Sequence, residues 1–452
     1  MRARPLLVLL AAAALFGATA FERISADSLR ANISWLAADE RQGRMTPSPG
    51  LEASADYVAA QFRQAGLAPG GANGSYFQAA AFTEATTKND DFRMTIDTGA
   101  RRFSVTSGNV KIQSLAALDF QNEAVVRLSR GGALQDITGR VVAGDESYAT
   151  DAALYALVAR KPSLILVTID GPRPKDAPTP LLLEDDRRLP PILRIYNRTA
   201  AGLLAGKSEA RLTLHVSAPA RHDVVLRNVA GVLRGSDPAV RDQYVVLSAH
   251  YDHLGMKPPG PGDRIFNGAN DNASGTASVI EIARALHPLR RSVLFLALFG
   301  EEEGLLGAYY YVRHPLVPIA RTVADINLEQ LGRTDSSDGP EIARFGFTGP
   351  SYSNLPAIMT AAAKSEGTSV YQKDGADDYF DRSDNFAFAL AGVVAHTAVV
   401  AFEFPDYHGV GDEAGKIDYA NLVKVDRGIA AGLVAVANSP EAPRWSAKRR
   451  GW

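Results

Sequence analysis

Four apolar segments in the second half of the chain restrict its fold more than any other feature of the sequence. They lie at 244–247, 293–299, 322–328 and 392–400, and patterns typical of helices separate them. Continuous apolar strands that alternate with helices are typical of a parallel sheet that is buried on both faces. We therefore predict an α/β fold with a mostly parallel, mixed sheet covered by helices on both faces.

The length of the chain predicts more than one structural unit. It has 452 residues, of which 46% are hydrophobic and 22% charged, as in globular proteins. Short β-rich runs and a proline-rich loop at 172–191 set the middle of the chain apart. The predicted units are a signal peptide at 1–20, a helical lead-in at 21–94, an inserted β-rich domain at 95–221, a catalytic domain at 222–440 and a C-terminal tail at 441–452.

Residues 1–20 have the pattern of a secretory signal peptide. Arg2 and Arg4 precede an apolar run over 6–16, and small residues follow at 18–20. The alternative is a membrane anchor, but the run is short for a span of about 20 apolar residues. We expect export to the periplasm or the extracellular space, with no membrane attachment after cleavage.

Charge and cysteine content limit the possible partners and metals. The formal net charge is −2, and the basic residues form no stripe interleaved with aromatic residues, so we expect no nucleic-acid partner. The chain has no cysteine, which excludes thiolate ligands. A bound metal would therefore be held by His, Asp and Glu, a donor set that suits zinc, with manganese or cobalt as substitutes.

Ionisable residues follow the predicted strands at short distances. Ligands of open α/β sheets bind beyond the carboxyl ends of the strands, so residues at these positions are expected to lie together. A glycine-bounded loop at 268–275 adds one more carboxylate. The residues predicted to converge at one edge of the sheet are His250, Asp252, Asp271, Glu301, Glu302, Glu329 and His408.

Each of these motifs also has an ordinary interpretation. The acidic run at 301–303 could be a solvated turn, but it emerges from an apolar strand, where adjacent carboxylates need compensating cations. One carboxylate could then bind a metal while the next acts on a water molecule. Asp271 could be a helix cap, or its carboxylate could bridge two cations. Asp252 could orient the His250 ring or support a neighbouring ligand.

Other candidates near the predicted site are weaker. Tyr407 precedes His408 and could donate a hydrogen bond to an oxyanion, or it could be a packing aromatic residue. His253 and His396 are the rival metal ligands among the remaining histidines. His396 falls within a predicted strand, which favours a hydrogen-bonded core residue.

Several motifs together resemble those of a known family. In chain order they are "SAHYDHLG", "NGANDNASG", "FGEEEGLLGA", "NLEQLG", "RSDNFAF" and "DYHGVGDEAGKIDY", over about 225–435. This set resembles the two-zinc aminopeptidase family, which also includes glutamate carboxypeptidases and the transferrin receptor. The resemblance implies a phosphorylase/hydrolase-like zinc-peptidase core, and the segment 95–221 resembles the protease-associated domain inserted in such enzymes.

The resemblance also implies a ligand set for two Zn²⁺ ions. It implies that His250, Asp271 and His408 bind one ion. Glu302 and Glu329, together with a bridging Asp271, would bind the other. The family more often has aspartate at the position of Glu329, and glutamate keeps the donor type but adds a methylene group.

The implied activity is that of an exported aminopeptidase acting on peptides. Glu301 would be the general base and Asp252 a supporting acid. Three alternatives remain at this point: a glutaminyl cyclase, a carboxypeptidase or dipeptidase on the same scaffold, and a non-enzymatic receptor-like ectodomain. The sequence predicts neither the side-chain preference nor the oligomeric state.

Overall fold

The computed structural model describes residues 21–87, 90–129, 136–149, 151–173, 181–184 and 190–447. The predicted signal peptide at 1–20 and the last residues of the predicted tail, 448–452, lie outside the described residues. None of the helices in the described ranges has both the length and the apolar character that crossing a bilayer requires.

Helices and strands alternate through much of the described chain. The α-helices are α1 (Ala26–Leu36), α2 (Pro49–Gln64), α3 (Asp151–Val158), α4 (Arg198–Ala205), α5 (Gly275–Ala285), α6 (Leu306–Arg313), α7 (Leu355–Ala363), α8 (Asn385–Leu390) and α9 (Tyr419–Asn438). The strands are β1 (Ala68–Pro69), β2 (Phe77–Thr86), β3 (Arg93–Asp97), β4 (Arg102–Val105), β5 (Val110–Gln113), β6 (Leu118–Arg127), β7 (Val141–Gly144), β8 (Leu164–Thr168), β9 (Leu181–Glu184), β10 (Ile192–Ile195), β11 (Arg211–Val216), β12 (Ala220–Leu233), β13 (Tyr244–His250), β14 (Gly255–Met256), β15 (Ile265–Phe266), β16 (Ser292–Leu298), β17 (Thr322–Glu329), β18 (Asp335–Ser336), β19 (Gly339–Pro340), β20 (Arg344–Phe347), β21 (Ser369–Val370) and β22 (Ala395–Val399).

The chain divides into two compact units. The first comprises Met1–Ala80 and Leu226–Trp452, and the second comprises Ala81–Val225. The first unit contains the main sheet, in which the strand order includes β21-β20-β22-β17-β13-β16-β12. Its central strands β16, β13, β17 and β22 are parallel. Strands β12 and β20 run antiparallel to their neighbours β16 and β22.

Burial along the central strands explains their apolar sequences. Every residue of β16 is buried, as expected for a strand that is covered on both faces. Helix α5 packs against β13, β16 and β17, while α8 packs against β17 and β22. The predicted α/β class with a mixed, mostly parallel sheet is confirmed.

The parallel strands bring polar residues to one edge of this sheet. His250 is the last residue of β13 and pairs in register with Leu298, the last residue of β16. Glu329 is the last residue of β17, the neighbour of β13 on the other side. The carboxyl end of each strand therefore delivers a candidate ligand to the same edge.

The two N-terminal helices begin at serine caps. The Ser25 side chain accepts a hydrogen bond from the backbone of Ser28, and the Ser48 side chain accepts one from Leu51. Pro49 occupies the first turn of α2, where its missing N–H costs nothing. Between α1 and α2 the chain forms a short 3₁₀ segment, Asp39–Arg44, whose last residue is fully buried.

The second unit is built around an eight-stranded sheet of order β4-β3-β11-β6-β7-β8-β10-β5. Strand β9 pairs antiparallel with residues 82–85 of β2. This strand lies inside the segment 172–191, for which the prolines predicted a loop, so the prediction of a continuous loop is wrong at 181–184. The apolar Leu181–Glu184 run forms a strand because it has a partner, which the local sequence does not reveal. The boundaries 95–221 and the protease-associated identity of this segment stay predictions.

A buried carboxyl group in β17 makes stability depend on pH. Burial raises the pKa of Asp325 to about 8, although the Ser248 hydroxyl donates a hydrogen bond to it at 2.8 Å and lowers that pKa. The pKa of an unfolded aspartate is about 3.9. Between these two pKa values the carboxyl group is protonated in the folded protein and ionised in the unfolded chain. The free energy of unfolding therefore falls as the pH rises from about 4 to about 8.

Asp325→Asn should remove this pH dependence. We expect the free energy of unfolding of the wild type, measured in urea relative to the Asn variant, to fall by up to about 1.4 kcal/mol per pH unit between about pH 4 and pH 8. Parallel stability profiles for the two proteins would contradict the expectation.

Candidate metal centre

Asp271 lies at the centre of the candidate site and is only 2% exposed. Its Oδ1 atom is 3.4 Å from His250 Nε2, and its Oδ2 atom is 3.2 Å from His408 Nε2. Glu329 Oε1 is 3.4 Å from the same His250 nitrogen. Glu302 Oε2 is 3.3 Å from the same His408 nitrogen. One imidazole and one carboxylate therefore lie on each side of Asp271.

This grouping differs from the one that the family resemblance implied. The resemblance placed His250 and His408 in one ligand set, whereas the structure pairs His250 with Glu329 and His408 with Glu302. Adjacent parallel strands are the reason. Because β13 and β17 are neighbours, their last residues end side by side.

The donors in this cluster fit divalent cations. Ligand atoms of His250, Glu301 and Glu329 lie within 4.8 Å of one another, and so do those of His253, Asp271 and Glu302. The buried Oδ1 atom of Asp271 has no hydrogen-bond partner. Clustered buried carboxylates are costly without a compensating charge, which cations would supply. Imidazole nitrogen and carboxylate oxygen are ordinary zinc donors.

The loop that carries Asp271 is held by hydrogen bonds to its backbone. The Asp412 carboxylate accepts the N–H groups of Asn270, at 2.9 and 3.0 Å, and of Asp271, at 2.9 Å. The side chain of Asn272 donates to the Leu328 carbonyl at 2.9 Å. Burial raises the pKa of Asp412 to about 6. These contacts hold Asp271 close to the end of β17.

Asp252 connects two parts of the site. It is fully buried, and its Oδ1 atom lies 3.5 Å from His250 Nδ1 and accepts the backbone N–H of Glu301 at 3.1 Å. The Thr46 hydroxyl donates to its Oδ2 atom at 3.1 Å. The sequence left two roles open for Asp252, orienting the His250 ring or supporting a neighbouring ligand. This one position is compatible with both roles.

Glu301 and Glu302 are adjacent, but their environments differ. Burial raises the pKa of Glu301 well above its usual value, and the neighbouring Glu329 carboxylate raises it further. For Glu302, burial acts in the same direction, yet hydrogen bonds from His253 and His408 bring its pKa below the usual value. In the metal-free protein one carboxyl group therefore favours a proton and the other favours charge, which suits separate acid–base and ligand roles.

A cavity of about 260 Å³ opens over the site. Tyr407 lines it, is 38% exposed, and stacks on the His408 ring with the centroids 4.0 Å apart. Burial raises the pKa of the Tyr407 hydroxyl, and the carboxylate of Asp271 raises it further. The phenol therefore stays protonated at the cavity surface. The other lining residues beyond the ligand cluster include Tyr379, Arg382, Val399, Phe402, Glu403 and Phe404.

Two residues make contacts around the site that were not predicted from the sequence. Arg44 is fully buried, and its guanidinium donates to the carbonyls of Leu36, Tyr251, Asn267 and Gly268 at 2.7, 2.8, 2.7 and 3.0 Å. No local pattern marks this arginine as buried. His253, considered above only as a rival ligand, places its Nδ1 atom 2.6 Å from Glu302 Oε1.

His396 has the role that the sequence favoured. It is fully buried in β22 and bonds through Nδ1 to the Thr348 carbonyl at 2.8 Å and through Nε2 to the Ser353 hydroxyl at 2.6 Å. Burial lowers its pKa to about 4, so the ring is neutral at pH 7. The interpretation of His396 as a hydrogen-bonded core residue is confirmed.

Comparisons with known proteins bear on the same region. Residues 228–433 match the model of peptidase family M28. Aminopeptidase YwaD from Bacillus subtilis (strain 168) is 31% identical over 170 residues, which cover 37% of this chain and 34% of that protein. A probable zinc metalloprotease from Pyrenophora teres f. teres (strain 0-1) is 32% identical over 147 residues, or 30% of this chain and 31% of that protein. The chain spans about a third of the length of these relatives.

A solved structure shares the fold over nearly the whole chain. The aminopeptidase from Aneurinibacillus sp. strain AM-1 superposes with a TM-score of 0.58 at 19% identity. The match covers 93% of this chain and 96% of the other. At this identity the similarity establishes a common fold.

Proposed function

We propose that the chain is a zinc-dependent aminopeptidase that releases N-terminal residues from peptides, because residues 228–433 match the model of peptidase family M28. The observation that carries the proposal is the position of Asp271, whose two carboxylate oxygens face His250 and His408 on opposite sides. A carboxylate in this position can bridge two metal ions.

The proposed ligand sets follow the distances. His250, Glu329 and Oδ1 of Asp271 would hold one zinc ion. His408, Glu302 and Oδ2 of Asp271 would hold the other. Manganese and cobalt accept the same donors. When bound, such a metal pair polarises a scissile carbonyl group and activates water.

The proposed acid–base chemistry belongs to Glu301. Its carboxylate would take a proton from the attacking water and return it to the departing amine. Asp252 holds the Glu301 backbone N–H and faces the His250 ring, so it would support both residues. Tyr407, protonated at the cavity surface, would donate a hydrogen bond to the developing oxyanion.

We also propose that the protein acts on peptides outside the cytoplasm. The support is the signal-like pattern of residues 1–20, with Arg2 and Arg4 before an apolar run. The inserted segment 95–221 is proposed as a protease-associated domain, on the resemblance alone.

A panel of blocked dipeptides tests the activity. We expect the purified protein to bind two zinc ions per chain and to cleave dipeptides with a free amino group, whether or not the carboxyl end is amidated. N-acetylated dipeptides should be spared. Metal content is measured by elemental analysis, and products by chromatography.

Each alternative predicts a different pattern of products. A carboxypeptidase would cleave the N-acetylated dipeptides and spare the amidated ones, while a dipeptidase would need both ends free. A glutaminyl cyclase would convert an N-terminal Gln peptide to its cyclic form without cleavage. A receptor-like protein would act on none of them. Any of these patterns would overturn the proposal.

A further inference from the structure

Glu302 lies between two imidazole rings, of which the proposed function uses only one. Its Oε2 atom is 3.3 Å from His408 Nε2, and its Oε1 atom is 2.6 Å from His253 Nδ1. The two rings approach edge to face, with centroids 5.8 Å apart and an interplanar angle of 69°. The His408 side chain is 38% exposed, whereas that of His253 is fully buried. Each oxygen of the carboxylate therefore has its own imidazole neighbour.

The position of His253 is that of a hydrogen-bond donor. An ionised carboxylate only accepts hydrogen bonds, so the 2.6 Å contact requires the proton to be on Nδ1 of His253. A protonated nitrogen cannot bind a metal. His253 Nδ1 is also farther from Asp271 Oδ2, at 4.0 Å, than His408 Nε2 is, at 3.2 Å. His408 is therefore better placed to bind a metal ion, and His253 is better placed to donate a hydrogen bond to the Glu302 carboxylate.

Close packing holds the His253 ring in this orientation. A Cβ atom on Gly268 would lie 2.5 Å from His253 Cδ2 and 2.6 Å from Cγ, so the ring rests directly on the Gly268 backbone. Gly268 has φ +59°, a conformation that glycine adopts readily. The His253 backbone N–H donates to the Arg44 carbonyl at 3.3 Å. The imidazole is therefore a fixed donor rather than a mobile one.

We propose that His253 is a positioning residue for the zinc ion held by His408, Glu302 and Asp271. Its Nδ1–H group occupies Glu302 Oε1, so that Oε2 would remain available to bind the ion. The inference rests on the proposed function, because it concerns the same metal pair. Partners that hold ligating carboxylates in this way typically contribute 10- to 100-fold to metal affinity.

Three substitutions of His253 distinguish the effect of its N–H donor from the effect of its packing. His253→Asn keeps an N–H donor close to the position of Nδ1. His253→Gln moves the donor towards the position of Nε2, and His253→Leu removes it. His287→Leu changes an exposed histidine and is the matched control. Zinc dissociation constants are measured on chelator-stripped protein by competition with a chromophoric chelator, and zinc per chain is measured by elemental analysis.

The expected result is a selective loss of affinity for one of the two zinc ions. His253→Leu and His253→Gln should weaken the binding of that ion by about 10- to 100-fold, while His253→Asn and His287→Leu stay close to the wild type. Equal losses for Asn and Gln would indicate packing instead of donation and would overturn the inference. Unchanged affinity in all three His253 variants would overturn it as well.

The test of His253 can be distinguished from the test of the proposed function. If His253→Leu fails to fold, as judged by circular dichroism, the comparison of Asn with Gln decides. A wild type that binds two zinc ions and cleaves free dipeptides, with unaffected His253 variants, would refute this inference alone. A wild type that binds no zinc would refute the proposed function together with it.

Discussion

Glu301→Gln is expected to lower kcat by about 10²- to 10⁴-fold without loss of zinc or of thermal stability. Glutamine has nearly the same shape but cannot accept the proton of the attacking water. Glu301 Oε2 is 4.0 Å from His250 Nε2, farther than the 3.4 Å of Glu329 Oε1, which places Glu301 beside the ligand set and not within it. Steady-state kinetics on a free dipeptide and elemental analysis measure the two quantities.

Glu303→Gln is the matched control, because it removes a neighbouring carboxylate of the same acidic turn outside the ligand cluster. It should keep both activity and zinc. A fully active, zinc-loaded Glu301→Gln protein would remove Glu301 from the role of general base. Loss of one zinc ion from that variant would instead make Glu301 a ligand.

Asp271→Asn is expected to weaken both zinc sites and to abolish activity. The two oxygens of Asp271 face different ligand sets, so one substitution removes a negative charge from each set. Substitutions at His250 or His408 change one set only. Zinc per chain and the zinc dissociation constants check the expectation, with circular dichroism to confirm folding.

Asp263→Asn is the control for this second experiment. Asp263 is exposed and lies in the segment that leads into the same loop, so its loss of charge should leave zinc binding unchanged. An Asp271→Asn protein that keeps one zinc ion at wild-type affinity would show that Asp271 belongs to a single site.

The fold class could be predicted because the burial of the central strands is visible in their apolar sequences. A strand covered on both faces has to be apolar along its whole length, as β16 is. The same strands carry His250 and Glu329 at their carboxyl ends, and parallel strands bring those ends together. The convergence of the candidate ligands could therefore be predicted from position alone.

The grouping of the candidate ligands could not be predicted, because chain order does not give the order of strands across a sheet. Strand β13 lies between β16 and β17, although it precedes both of them in sequence. This order places Glu329 beside His250, while Glu302, which follows β16, faces His408. The contact of His253 with Glu302 could not be predicted either, because the two residues are 49 positions apart in sequence.

The buried guanidinium of Arg44 has a consequence for how the protein folds during synthesis. Its acceptors at Tyr251 and Asn267 come 207 and 223 residues later in the chain. During synthesis, Arg44 therefore leaves the ribosome long before these acceptors exist, and loop closure over such separations precedes any gain from the contact. We therefore expect the turns that bear His250 and Asp271 to become fully ordered only when this early segment docks on the late one.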